Sequence, residues 1–176
     1  MKKRITVFGS AFPKEGDNEY NTAYHLGKLL AQKGFDVNTG GYAGIMEAVS
    51  KGVTENGGNA TGVTLSYVKS KPSKFLTEII PCNTLFDRIT KLIEFGNAYI
   101  VLQGGTGTLL ELAAIWEFLN KNLMETKPVA CNSPMWKEIG ETINKQLKRE
   151  GRDTNRVSFF DDIEEMVEFI HKGVQV

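Results

Sequence analysis

The run Ala98-Tyr-Ile-Val-Leu102, followed by Gln103-Gly104-Gly105-Thr106-Gly107-Thr108-Leu109-Leu110-Glu111, decides the fold of this chain. Five consecutive apolar residues predict a strand buried on both faces, as at the centre of a parallel sheet, because a strand with one wet face would alternate. The glycine cluster predicts a tight turn. Leu109 to Leu119, apolar nearly all round, predicts a buried helix beyond it. A strand, a glycine turn and a helix in that order make part of a βαβ unit.

The same alternation extends outward in both directions. Strands are predicted at Arg4 to Phe8, Asp36 to Thr39, Ala60 to Leu65, Glu78 to Ile80, Pro128 to Cys131 and Val157 to Phe160. Between them, helical spacing joins Tyr20, Ala23, Gly27, Leu30 and Ala31, with Gly34 as a stop. Further helices are predicted from Ile45 to Glu55, Thr84 to Phe95, Pro134 to Lys148 and Asp161 to His171, and Tyr67 to Ser73 reads as a loop. No repeat or linker interrupts the pattern. Residues 1–176 therefore read as a single nucleotide-binding α/β domain, doubly wound and Rossmann-like, with a mostly parallel sheet.

The chain has 176 residues, 41% of them hydrophobic and 24% charged, which suits one globular domain. Its 21 basic and 21 acidic residues cancel, so no long-range field draws it to a nucleic acid polymer or an anionic membrane. Met1-Lys-Lys-Arg looks like the start of a signal sequence, but the apolar run behind it is broken at Gly9-Ser-Ala-Phe-Pro. With two widely separated cysteines, Cys82 and Cys131, read as buried thiols, the expected location is cytoplasmic. No cluster of His, Cys or Asp calls for a metal, and no cofactor is expected.

Eighteen glycines exceed the usual share. Three groups fall at predicted strand ends: Gly9-Ser10-Ala11, Gly40-Gly41-Tyr42-Ala43-Gly44 and Gly104-Gly105-Thr106-Gly107-Thr108. In open parallel sheets ligands bind along that edge, where glycine permits close approach and a helix N-terminus offers unpaired N–H groups to a phosphate. The plain alternative is that the glycines only make turns. Neither G-x-x-x-x-G-K-[ST] nor G-x-G-x-x-G is present, which excludes a P-loop triphosphatase and the dinucleotide fingerprint. A mononucleotide or sugar phosphate is the expected ligand.

Two charged residues stand out beside these turns. Glu111 sits in the first turn of the predicted apolar helix, where burial would be costly without partners. Thr108-Leu-Leu-Glu111 also fits a capping box, in which the glutamate serves only a backbone N–H. Arg88 lies one turn from both Leu85 and Leu92, bordering the apolar stripe of its helix. It either reaches a cleft or forms a surface salt bridge.

Phe8-Gly9-Ser10, Gly40-Gly41 with Gly44-Ile45-Met46, Gly57-Gly58 before Gly62-Val63, and Arg88 ahead of Gly104-Gly105-Thr106-Gly107-Thr108-Leu-Leu-Glu111 resemble the Lonely Guy (LOG) family, once labelled lysine decarboxylases. The resemblance runs from about residue 4 to about 120. It implies a Rossmann-like homodimer and a phosphoribohydrolase activity, releasing the free base from a cytokinin-like or other nucleoside 5′-monophosphate. By position, Arg88 and Glu111 match the family's catalytic pair. Gly104, Gly105, Gly107 and Thr108 match its phosphate turn, on which, with Thr106, the phosphate would sit, and Gly9, Ser10, Gly41 and Met46 would wall the ribose and base. Three positions depart from the family pattern: Ile89 replaces the usual lysine, Gln103 the usual proline, and Thr39-Gly-Gly-Tyr42 the usual glycine-rich second turn. A non-catalytic nucleotide or pterin-cofactor carrier on the same scaffold is the alternative.

Overall fold

The computed structural model describes residues 2–175. Seven strands form one sheet: β1 (Arg4–Phe8), β2 (Asp36–Thr39), β3 (Ala60–Leu65), β4 (Glu78–Cys82), β5 (Ala98–Val101), β6 (Val129–Asn132) and β7 (Ser158–Phe160). Their spatial order is β4-β3-β2-β1-β5-β6-β7 and all six pairings are parallel. The six helices are α1 (Asn18–Gln32), α2 (Ile45–Thr54), α3 (Leu85–Phe95), α4 (Thr106–Asn120), α5 (Met135–Arg149) and α6 (Ile163–Val174). The chain steps outward from β1 to β4, returns to the other side of β1 with β5, and steps outward again. That reversal between β1 and β5 is the switch point at which such sheets bind ligands.

Side chains alternate across the sheet, and each face is sealed by its own helices. Ile5 and Val7 pack with Leu26, Leu30, Val49, Met166 and Ile170 of α1, α2 and α6. Phe8, Tyr99 and Val101 pack with Leu92, Leu112, Ile115 and Trp136 of α3, α4 and α5. Within the sheet the Thr6 hydroxyl donates to the Leu92 carbonyl (2.8 Å) and accepts from the Asn38 amide (3.4 Å), tying β1, β2 and α3 together. Helices α1 and α2 are in direct backbone contact. A Cβ on Gly27 would lie 2.3 Å from the Val49 carbonyl oxygen, and one on Gly52 would lie 2.1 Å from that of Tyr24.

Most predicted elements fall where the periodicity placed them, with three informative differences. Strand β4 continues through Pro81 to Cys82. A proline is tolerated there because β4 is an edge strand with only β3 beside it. The last helix begins at Ile163 instead of Asp161, with the Asp162 carboxylate accepting from Glu165 N–H as an N-cap. The largest difference is at α4, which starts at Thr106, three residues before the predicted Leu109. Nor is α4 buried all round, since Leu109 and Leu110 are 41% and 40% exposed. Among the described residues no helix is long and apolar enough to cross a membrane, and no group of three or more His, Cys, Asp or Glu side chains is arranged to hold a metal ion.

Candidate functional site

Three strand-end turns are stitched together at the switch point. Leu102 N–H donates to the Phe8 carbonyl (2.9 Å), Ser10 N–H to Gln103 (2.9 Å) and Ile45 N–H to Ser10 (2.8 Å). The turn before α2 can come this close only because Gly44 has no side chain: a Cβ there would lie 2.3 Å from the Ser10 carbonyl oxygen, and its φ of +71° suits glycine. On the β5 side the indole N–H of the fully buried Trp136 donates to the Leu102 carbonyl (2.9 Å), fixing the chain just before the glycine turn.

Between these turns lies a cavity of about 230 Å³. Its wall comes from the end of β1 and its turn (Val7 to Ala11), from Gly40 and Met46 after β2, from Arg88 of α3, and from Gly105, Gly107, Thr108 and Glu111. Helix α4 begins at this wall with Gly105 as N-cap and no side chain capping it. The first-turn N–H groups therefore have neither intrahelical nor side-chain partners, and the helix dipole adds positive potential at this wall.

Further along α4, Glu111 meets Arg88 of α3. Their side chains are each only 11% exposed, and Arg88 Nη1 donates to Glu111 Oε1 at 3.3 Å. Arg88 Nε donates to the Val63 carbonyl at 2.8 Å, so the guanidinium is clamped between β3 and α4. Burial raises the Glu111 carboxyl to about 7, and the attraction of Arg88 only partly offsets this. Near neutral pH the group is thus divided between its acid and its anion, the condition for proton transfer.

This geometry separates the alternatives left open by the sequence. Because α4 begins at Thr106, Glu111 is in its second turn and Thr108 is not an N-cap, so the capping-box reading of Thr108 and Glu111 is incorrect. Arg88 is 9% exposed and belongs to a buried pair, not a surface salt bridge. The apolar stripe beside it consists of Ile89, Leu92 and Ile93, while Leu85 is 38% exposed.

The expected binding residues divide in two. Gly9, Ser10, Met46, Gly105, Gly107 and Thr108 line the cavity; Gly41, Gly104 and Thr106 do not. Gly41 lies against β3, where a Cβ would meet Thr64 at 2.8 Å and Gly62 at 3.0 Å. Gly104 makes room for the Thr108 side chain, whose Oγ1 lies 2.1 Å from where its Cβ would be, and Thr106 is exposed. Gly40 and Ala11, which the sequence marks only as parts of turns, also line the cavity. A Gly-Gly pair does not say which member faces the ligand.

Fold and site together define a Rossmann-like α/β protein that presents an open helix N-terminus above a buried arginine–carboxylate pair. The chain belongs to the SLOG cluster4 family, whose profile matches residues 2–167, and the resemblance to LOG proteins holds. One relative, named "Probable cytokinin riboside 5'-monophosphate phosphoribohydrolase LOGL5", is from Oryza sativa subsp. japonica. It is 31% identical over 116 residues, 64% of this chain and 47% of its own length. The chain thus spans about half of that relative. Among solved structures, the molybdenum cofactor carrier protein of Chlamydomonas reinhardtii superposes with a TM-score of 0.80 at 24% identity, covering 100% of both chains. The molybdenum cofactor binding protein of Rippkaea orientalis gives 0.76 at 25% identity, covering 98% of this chain and 97% of its own.

Proposed function

We propose that this protein hydrolyses the N-glycosidic bond of a nucleoside 5′-monophosphate, giving a free base and ribose 5-phosphate. The observation that carries the reading is the presence, in one cavity, of an uncapped α4 N-terminus and the Arg88–Glu111 pair. The phosphate sits on the first turn of α4. Thr108 and Glu111 are three residues apart, roughly 5 Å along the axis, so the ribose reaches down from the phosphate toward the carboxylate. The cavity is smaller than the roughly 300–1,000 Å³ of whole-ligand pockets, which leaves the base toward the mouth, against Ala11 and Met46.

As the C1′–N bond breaks, its electron pair leaves with the base and positive charge grows on C1′. The Glu111 anion stabilises that charge and takes a proton from the water whose oxygen bonds to C1′. The base nitrogen takes a proton from solvent as it departs, and Glu111 then returns the proton it took to solvent, so that one water is consumed and the carboxylate is regenerated. Arg88 holds Glu111 in place and keeps a fraction of it ionised at neutral pH against the effect of burial. The likeness to the rice protein supports the substrate class.

A second reading has a specific observation in its favour. The likeness to the Rippkaea orientalis protein covers nearly the whole chain, and the buried Ile89 stands where LOG proteins usually have a lysine. On that reading the cavity carries a pterin cofactor or nucleotide without turning it over. As in the LOG family, we also propose a homodimer, joined through the exposed Phe86, Leu109 and Leu110 beside the site.

The deciding experiment incubates the protein with a panel of nucleoside 5′-monophosphates and measures free base and ribose 5-phosphate by chromatography. Release that disappears in Glu111→Gln supports the hydrolase. Thermal stabilisation by ligand with no release from any member overturns the hydrolase in favour of the carrier.

A further inference from the structure

Gly41 and Gly44 have backbone reasons to be glycine, with φ of +79° and +71°, but Gly40, beside them, is not in the left-handed region. Its backbone conformation is open to any residue. What Gly40 lacks room for is a side chain. A Cβ at this position would lie 1.9 Å from Arg88 Nη2 and 2.6 Å from Met46 Sδ, well inside contact distance. The guanidinium is already fixed on two other sides, by the Val63 carbonyl at Nε and by Glu111 at Nη1. Gly40 forms the third side of its slot.

We propose that Gly40 is a positioning residue, whose missing side chain lets the Arg88 guanidinium occupy the space at the end of β2 and so reach Glu111. The proposal deepens the hydrolase reading by assigning a further residue to the same site, and it rests on that reading for its consequence in catalysis. Both atoms that an alanine would displace are the far ends of flexible side chains, so Gly40→Ala folds, and the strain is relieved by moving Arg88. With Nε tied to Val63, that movement opens the contact with Glu111. The carboxyl then keeps the burial that raises its pKa and loses the cation that lowers it.

The test is a cycle of wild type, Gly40→Ala, Arg88→Ala and the double variant, read in two ways. Carbon-13 NMR follows the titration of the Glu111 carboxyl, and steady-state kinetics follow turnover of the best nucleoside monophosphate. In Gly40→Ala the Glu111 titration moves upward from about 7, and kcat/KM falls on the order of 10- to 100-fold, mostly in kcat. In the Arg88→Ala background adding Gly40→Ala changes neither quantity. Two results overturn the proposal: a Glu111 titration unmoved by Gly40→Ala, or an equal effect with Arg88 absent, which would mean that the alanine acts through Met46. If no nucleotide is hydrolysed yet the titration moves only when Arg88 is present, Gly40 keeps its assigned role and the hydrolase reading fails on its own.

Discussion

Replacing Glu111 with glutamine removes one titrating group from a buried site while keeping its shape, and the structure fixes the size and sign of the result. The native state holds the Glu111 proton up to about pH 7, whereas an ordinary glutamate releases it near 4.5. The folded protein therefore binds this proton more tightly than the unfolded chain. Raising the pH from 4.5 through about 7 takes stability away, and the difference is worth roughly 3 kcal/mol. Below pH 4.5 the group has no effect. For a chain of this size that amount corresponds to a fall in Tm on the order of 6–12 °C. Every other titrating group is shared by wild type and Glu111→Gln, so the difference between their Tm curves isolates Glu111. Differential scanning calorimetry from pH 4.5 to 8 should show wild type losing stability relative to the variant by that amount, mostly between pH 5 and 7.5. Parallel curves would refute the assignment of Glu111 as a buried, proton-holding carboxyl, whether or not the protein is an enzyme.

Other perturbations follow from the same contacts. Arg88→Ala leaves Glu111 buried without its cation, so the variant should be destabilised more at pH 8 than at pH 5, where the carboxyl takes a proton; an equal loss of Tm at both would contradict the buried pair. Gly52→Ala places a methyl group 2.1 Å from the Tyr24 carbonyl oxygen and must push α1 from α2, costing about 1–3 kcal/mol or more in urea denaturation. Gly104→Ala drives its Cβ against the Thr108 side chain and should weaken stabilisation by a nucleoside monophosphate in thermal-shift assays, with unaltered protection counting against the α4 anion site. Phe86→Asp, at a side chain 75% exposed, should turn a dimer into a monomer by size-exclusion chromatography with light scattering, and an unchanged elution would place the interface elsewhere.

The fold was legible where burial leaves a continuous mark. Strands β1, β2 and β3 occur residue for residue where they are predicted, β1 and β3 from short β-branched runs, because central parallel strands bury both faces. The start of α4 was not legible. Gly-Thr-Gly-Thr is turn-like in composition, yet Thr106, Gly107 and Thr108 are helical, because Thr108 packs into the space left by Gly104 while Leu112 and Ile115 anchor the helix. Local propensity is a weak term against such packing.

From the sequence alone came the parallel α/β alternation, the glycine turns along one edge of the sheet, and Arg88 and Glu111 as the residues to watch. Each depends on a neighbour within a few positions, and short-range pattern records such relations. That Arg88 and Glu111, 23 residues apart, share a hydrogen bond was decided only by the fold bringing α3 and α4 together. The same is true of the rise in the Glu111 pKa, which comes from burial and not from any local motif. Which glycine of the 40–41 pair faces the cavity was settled by the Arg88 side chain arriving from another element. Packing between distant segments sets distance and dielectric, and those two quantities turn a pair of charged residues into a site.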